Sequence, residues 1–489
     1  MGSAATDKLL PESGKEEEEE EEKQLGKRLW VESKKLWIVA GPATLTRASM
    51  FGVFIISQAF TGHLGNTEMA ALSVVFQLLT RFSIGILMGM SSGLETLCGQ
   101  AYGAKQYHML GIYLQRSWLV ETAVFLLLIP IFIFSAPIFR LLGQTEEISL
   151  MANVISLWYI PIIFSYVFLY TLQMYLQTQS KNMIITWLSA VTLILHGFCS
   201  WILVDKLGLG IPGVMISMNI ASWVPIVGQL IFVFYGGCPQ TWTGFSLHAF
   251  AELWPVFKLS ISSGVMLCLE LWYNSMLILF TGHTQDAQII IDALSICLNI
   301  NGWELMFSFG FLAAASVRVS NELGRGSAKA AIFAIKVVVA TSITVEAVLW
   351  ILVLAFRHIV SYIFSSSVEV ADEFSDLSLL LAFTLILNSI QPVLSGVAVG
   401  AGWQVIVAYV NIICYYCIGL PIGLLLYYVG HLDVKGIWIG MIIGTFIQTF
   451  VLLYYVYKTD WDKQVAIAKE RVNRWVLPAP DEKENDSSI

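Results

Sequence analysis

Twelve separate apolar stretches, each long enough to cross a bilayer as a helix, constrain this chain more than any other feature. They fall near residues 36–60, 69–93, 116–139, 151–176, 183–204 and 211–235, then near 254–281, 287–316, 331–356, 377–401, 404–428 and 434–457. About 20 apolar residues, rising 1.5 Å each, span the hydrocarbon core. Inside lipid a segment must satisfy its own backbone hydrogen bonds, so each stretch is expected to be a helix. The 489 residues are 57% hydrophobic and 13% charged, against roughly 45–50% and 25% in soluble domains. That balance excludes one water-soluble core and equally excludes a disordered chain. The expected class is an all-α integral membrane protein of twelve helices.

The net charge of −8 is concentrated outside the apolar region. Residues 1–35 hold ten acids, including the run Glu16 to Glu22, and residues 458–489 hold seven more. Between Leu36 and Tyr457 there are only 14 Lys or Arg and 18 Asp or Glu, so each buried charge needs its own explanation. The reading divides the chain into a disordered acidic tail (1–35), a first lobe (36–235), a connecting loop (236–253), a second lobe (254–457) and a C-terminal tail (458–489). Charged residues precede a first apolar run too long for a signal-peptide core, so no cleaved leader is expected.

Lys and Arg indicate orientation. With the tails inside, inner segments hold twenty of them and outer loops only Arg140, Lys206, Arg357 and Lys435. By the positive-inside rule both termini are expected in the cytoplasm. No basic surface suits nucleic acid, and no GxxxxGK[ST] sequence suits an ATP-driven pump. The histidines are dispersed, without a metal or catalytic spacing, so no cofactor, metal site or enzyme activity is expected. Gly208-Leu-Gly-Ile-Pro-Gly213 spells GxGxxG but follows no strand and contains Pro212. The seven cysteines, Cys414 and Cys417 included, read as reduced packing residues.

The chain repeats itself. Phe60-Thr-Gly-His63, ending span 1, recurs as Phe280-Thr-Gly-His283, ending span 7. Gly103 and Gly324, after spans 2 and 8, and Gly213 and Gly436, entering spans 6 and 12, keep nearly the same offset. Each half therefore has six helices in the same orientation, a transporter pattern with the solute site near the midplane.

The segment Gly93-Leu-Glu-Thr-Leu-Cys-Gly-Gln-Ala-Tyr-Gly-Ala-Lys-Gln-Tyr107 resembles the loop after helix 2 of multidrug and toxic compound extrusion (MATE) transporters, plant DETOXIFICATION-type branch. Arg318-Val-Ser-Asn-Glu-Leu-Gly-Arg-Gly326 resembles the same family's loop after helix 8. Gly62-His-Leu-Gly65 and Leu394-Ser-Gly-Val-Ala-Val-Gly-Ala-Gly-Trp-Gln404 extend the likeness over roughly residues 36–457. The resemblance implies a MATE-like, two-lobed antiporter exporting organic cations, alkaloids, flavonoid-type metabolites or xenobiotics in exchange for protons. It implies a multi-pass protein of the vacuolar or plasma membrane, whose partners are a small organic solute, protons and lipid. A monomer is expected. Sodium coupling, and a lipid or oligosaccharide flippase of the same broad superfamily, stand as alternatives. Gly99, Gly103, Gly324 and Gly326 are expected to permit sharp turns, and Lys105, Arg318 and Arg325 to anchor at the lipid surface.

Proton coupling needs an intramembrane acid, and an ionised acid at the bilayer centre costs roughly 2.5–3.5 kcal/mol on insertion scales. Glu270, Glu304 and Glu346 qualify by position. Glu270 lies mid-span with Tyr273 and Asn274 on its helical face, and matches the helix 7 acid that the resemblance implies is protonated. Span 8 carries Asn301, Glu304 and Ser308 on one stripe; span 10 carries Asn388, Gln391 and Ser395, with Pro392 permitting a bend. These stripes are expected to converge on one cavity in the second lobe, the first lobe having nothing equally acidic. Many plant members have Asp where this chain has Asn388, so Glu304 either supplies the second carboxyl or packs its helix. Glu346 lacks a polar stripe and is left out of the site. His196 and Asn219 either line the first lobe or bond a neighbouring helix. Pro42 softens span 1, with Arg47 one turn beyond. Ser57 and Gln58 stand where bacterial relatives carry Asp, which directs coupling to the second lobe.

Overall fold

The computed structural model describes residues 12–281, 287–356, 359 and 367–474, with side chains described outside 12–23 and 274–292. The described residues form helices and no strand. Twelve helices are long and apolar enough to cross a membrane. The first six are α1 (Glu12–Leu64), α2 (Asn66–Gly103), α3 (Tyr107–Ile133), α4 (Glu146–Thr178), α5 (Asn182–Lys206) and α6 (Gly210–Gly237). After a connector come α7 (Leu253–Thr281), α8 (Ala287–Arg325), α9 (Ala328–Ala355), α10 (Val368–Ala401), α11 (Gln404–Tyr428) and α12 (Asp433–Lys458). A shorter helix, α13 (Trp461–Asn473), follows. The repeated His283 lies outside the described residues.

The start of α1 and α13 lie at the same end of the bundle, here called the tail end, through Glu32 on Arg318 and Arg471 on Gln100. There the sequence reading needs two corrections. Residues 12–35 are not disordered; they continue α1. Arg318 Nε donates to Glu32 Oε1 at 2.6 Å and Nη2 to Oε2 at 3.1 Å, while Nη2 also reaches Glu322 Oε1 at 2.6 Å. Arg318 is therefore a buried ion-pair centre rather than a lipid anchor. The C-terminal tail likewise contains α13, which buries Trp461, Ala468 and Val472. Its Arg471 donates to Gln100 Oε1 at 2.9 Å, and burial holds that guanidinium below its usual range.

The expected turn glycines are corrected as well. Residues 93–103 and 318–325 are helical, and only Gly326, with φ of +87°, makes a left-handed turn. A Cβ on Gly103 would strike the Asn321 carbonyl, and one on Gly324 the Gln100 carbonyl. Without side chains, α2 and α8 cross at backbone contact, the device small residues provide between membrane helices. Along the same seam α2 meets α7, where a Cβ on Gly89 would lie 2.6 Å from Gly264 Cα. Hydrogen bonds seal the tail end between lobes: Thr96 Oγ1 to Val399 O at 2.6 Å, Gln100 Nε2 to Gly400 O at 3.0 Å and Asn321 Nδ2 to Thr178 O at 3.3 Å.

The prolines behave differently. α10 breaks at Ser389–Ile390, immediately before Gln391 and Pro392, as a ring without an N–H dictates. α1 runs unbroken through Pro42, and α5 satisfies nearby carbonyls: Asn182 Nδ2 donates to Val39 O at 3.1 Å and Thr186 Oγ1 to Pro42 O at 2.9 Å. All seven cysteines are free.

Candidate functional site

The break in α10 organises two polar clusters about midway along the second-lobe helices. Below it, Gln391 Nε2 donates to Glu270 Oε1 at 3.1 Å, with Ser395 Oγ at 3.1 Å and Tyr415 Oη at 3.4 Å also within reach. The Tyr415 ring stacks on Tyr273 at 4.2 Å between centroids. The Tyr273 hydroxyl is occupied by the Met441 carbonyl at 3.1 Å, so it braces α7 against α12 and turns its ring, not its oxygen, to the site. Glu270 is only 7% exposed.

Above the break, Asn388 Nδ2 donates to Glu304 Oε2 at 2.8 Å and to Asn301 Oδ1 at 3.1 Å. Ser308 Oγ lies 2.6 Å from Glu304 Oε1 and 3.2 Å from Glu346 Oε1. Ser308, Glu304 and Glu346 are all buried. One hydroxyl has one proton to give, so it bridges two carboxyls that it cannot both satisfy as anions. The arrangement requires a proton on the pair or a cation beside it.

Hydrogen bonds sort the polar stripes into two clusters, Asn388 of α10 joining the Glu304–Glu346 pair and Gln391 joining Glu270. The reading of the sequence is corrected in two places. Glu346, left out for want of a stripe on its own helix, belongs to the Glu304 cluster because Ser308 comes to it from α8. The first lobe does hold buried acids: Glu95 accepts from Gln177 Nε2 at 2.9 Å and Glu121 from Ser91 Oγ at 2.8 Å. Their signal, an acid inside an apolar run, was the one that marked Glu270. The Asn274 side chain lies outside the described residues.

His196 bonds Ser57 through Nε2 at 2.9 Å and Ser217 through Nδ1 at 2.8 Å, tying α1, α5 and α6. Asn219 donates to Trp158 O and Met215 O. Both residues hold helices together.

The MatE family model matches residues 42–202 and again 263–425, two blocks offset as Gly103 is from Gly324. The chain belongs to the MATE family. Protein DETOXIFICATION 21 of Arabidopsis thaliana is 58% identical over 97% of this chain and 96% of its own length. Protein DETOXIFICATION 20 of the same plant is 56% identical over 98% and 97%. Among solved structures, the eukaryotic MATE transporter AtDTX14 superposes with a TM-score of 0.85 at 32% identity, covering 91% of this chain and 99% of that one. An outward-facing multidrug resistance MATE family transporter shares the fold, with a TM-score of 0.77 at 15% identity over 90% of this chain and 97% of that one. These relatives are transporters, not enzymes. This MATE chain accordingly works in a membrane and is a transporter of the multidrug and toxic compound efflux type.

Proposed function

We propose that this MATE transporter is a proton-coupled antiporter that exports organic solutes from the cytoplasm, with both tails cytoplasmic. The observation that carries the reading is the pair of buried carboxyl clusters on either side of the α10 break, Glu270 with Gln391 and Glu304 with Glu346. A backbone interruption placed between two proton-holding groups lets a change at one move the other. Each of the two acids takes an amide N–H, Glu304 from Asn388 and Glu270 from Gln391, a donor that serves a carboxyl group and cannot ligate sodium. Glu270 and Glu304 carry the coupling, and Tyr273, Asn301, Asn388, Gln391 and Ser395 surround the path. The twenty-to-four bias of Lys and Arg supports cytoplasmic tails, and the vacuolar or plasma membrane suits an exporter that works as a monomer.

A compartment about 1.5 pH units more acid than the cytoplasm supplies about 2 kcal/mol per proton, at 1.36 kcal/mol per unit. Uptake of flavonoids and alkaloids into proteoliposomes under an imposed pH gradient, without nucleotide, tests the reading. Glu270→Gln is expected to abolish gradient-driven uptake in a folded protein. Wild-type uptake by Glu270→Gln together with loss in Glu304→Gln would move coupling to α8. Uptake that follows sodium and ignores pH would refute proton coupling altogether.

A further inference from the structure

The connector between the lobes, residues 238–252, carries an apolar face that the described chain leaves uncovered. Its path is fixed by α3. A Cβ on Gly111 would lie 2.8 Å from the Thr241 carbonyl oxygen, so the two backbones touch there. Gln115 Nε2 donates to Gly244 O at 3.0 Å, Gln115 Oε1 accepts from Ser246 N at 2.9 Å, and Arg116 Nη2 donates to His248 O at 3.2 Å. The connector therefore climbs α3 away from the tail end, and residues 244–248 come level with Arg116, where the apolar run of α3 begins. Trp242 turns inward, with ring centroids 6.1 Å from Trp118 and 4.9 Å from Phe234. A single helical turn, Leu247–Phe250, follows, and Ser246 Oγ caps it by accepting from His248 N at 3.3 Å.

With its backbone held to α3, this segment points large side chains away from the protein. Phe245 is 77% exposed, Leu247 88%, Phe250 65% and, in the first turn of α7, Trp254 71%, whereas Ala249 is buried. Four large apolar side chains on one short segment make a patch that water does not stabilise. Lipid is what lies beside them. Both ends of the connector are membrane-crossing helices, and its middle sits where α3 enters the bilayer. Trp254 is followed one turn later by the exposed Lys258, an aromatic ring and a long-stemmed cation of the kind that settle at the headgroup level. The irregular backbone cannot lie among acyl chains, where its polar groups would find no water. Only the interfacial layer suits both the backbone and the side chains.

We propose that the connector is an interfacial anchor, lying along the tail-end surface of the bilayer with Phe245, Leu247, Phe250 and Trp254 inserted roughly 5–10 Å into the boundary between headgroups and acyl chains. Its partner is the lipid surface rather than a particular headgroup, because the four inserted side chains carry no charge. The point where the two lobes join is thereby held at a fixed depth.

The test is made on the full-length protein in phosphatidylcholine bilayers. Nitroxide labels are introduced one at a time as an unnatural residue, leaving the native cysteines in place, at Leu247, Phe250, Leu127 and Lys469. Leu127, exposed in the middle of the apolar run of α3, marks the acyl chains, and Lys469, exposed on α13, marks water. Collision with oxygen, which concentrates in acyl chains, is compared with collision with a nickel chelate that stays in water. At Leu247 and Phe250 the oxygen-to-nickel ratio is expected to rise above that at Lys469 and shift toward that at Leu127. A ratio equal to that at Lys469 would place the connector in water and overturn the proposal. Labels screened from both reagents would overturn it too, since they would mark a protein surface, a second copy of this chain included.

Discussion

Replacing Gly324 with Ala should open the tail end of the transporter. An added Cβ would lie 2.8 Å from the Gln100 carbonyl carbon and 2.9 Å from its Cα, with the carbonyl oxygen closer still. Ordinary contact begins at 3.4 Å, and the oxygen is the nearest atom, so α2 and α8 would have to part by about an ångström or more in a seam packed without slack. Both neighbours are backbone, and neither can rotate away. Overpacking of this kind costs roughly 1–3 kcal/mol. A conformation with the lobes parted at the tail end would not bear that cost. The closed-to-open ratio should therefore fall by roughly 5–150-fold. Spin labels at Lys105 and Lys329, both exposed and on different lobes, would report it as a longer distance population in pulsed electron resonance. Gly26→Ala is the control, since nothing lies within 4 Å of its added carbon. An unchanged distance distribution in folded Gly324→Ala would refute the inference that backbone contact at this crossing holds the tail end shut.

Removing the guanidinium in Arg318→Ala strands the buried carboxylates of Glu32 and Glu322, and should cost about 3–5 kcal/mol; a thermal melt unchanged from wild type would show that the N-terminal end of α1 is not held this way. Arg471→Ala loses the bond to Gln100 and should weaken tail-end closure by about 1–3 kcal/mol, read with the same spin-label pair. Glu346→Gln leaves Glu304 without its carboxyl neighbour and should alter the pH profile of uptake more than its solute affinity; equal effects on both would mark it as packing alone. Asn388→Asp turns a donor 2.8 Å from Glu304 into a third acid beside the Glu304–Glu346 pair, so uptake should acquire an additional proton step, seen as a steeper pH dependence.

Twelve helices, two repeats and the even count that brings both ends together were legible in the chain, because in lipid each span is a local solution. Apolar length sets its existence, and backbone hydrogen bonding sets its form. Pro392 announced the α10 break for the same local reason. Glu270, Glu304, Gln391 and Asn388 could be picked out because a polar residue in an apolar run is conspicuous whatever it touches.

What those residues touch was decided only by packing. The hydrogen-bonding partner of Glu346, Ser308, comes from α8, 38 residues away. Glu32 looked like part of a solvated acidic run until Arg318, 286 residues away, reached it. Gly99, Gly103 and Gly324 read as turn residues because glycine serves turns and close helix crossings alike, and one chain of letters does not distinguish them. Arg47 and Glu95 each look like an isolated charge in a span. That they face one cleft is a property of the lobe seam, where distant segments meet and no local pattern records the meeting.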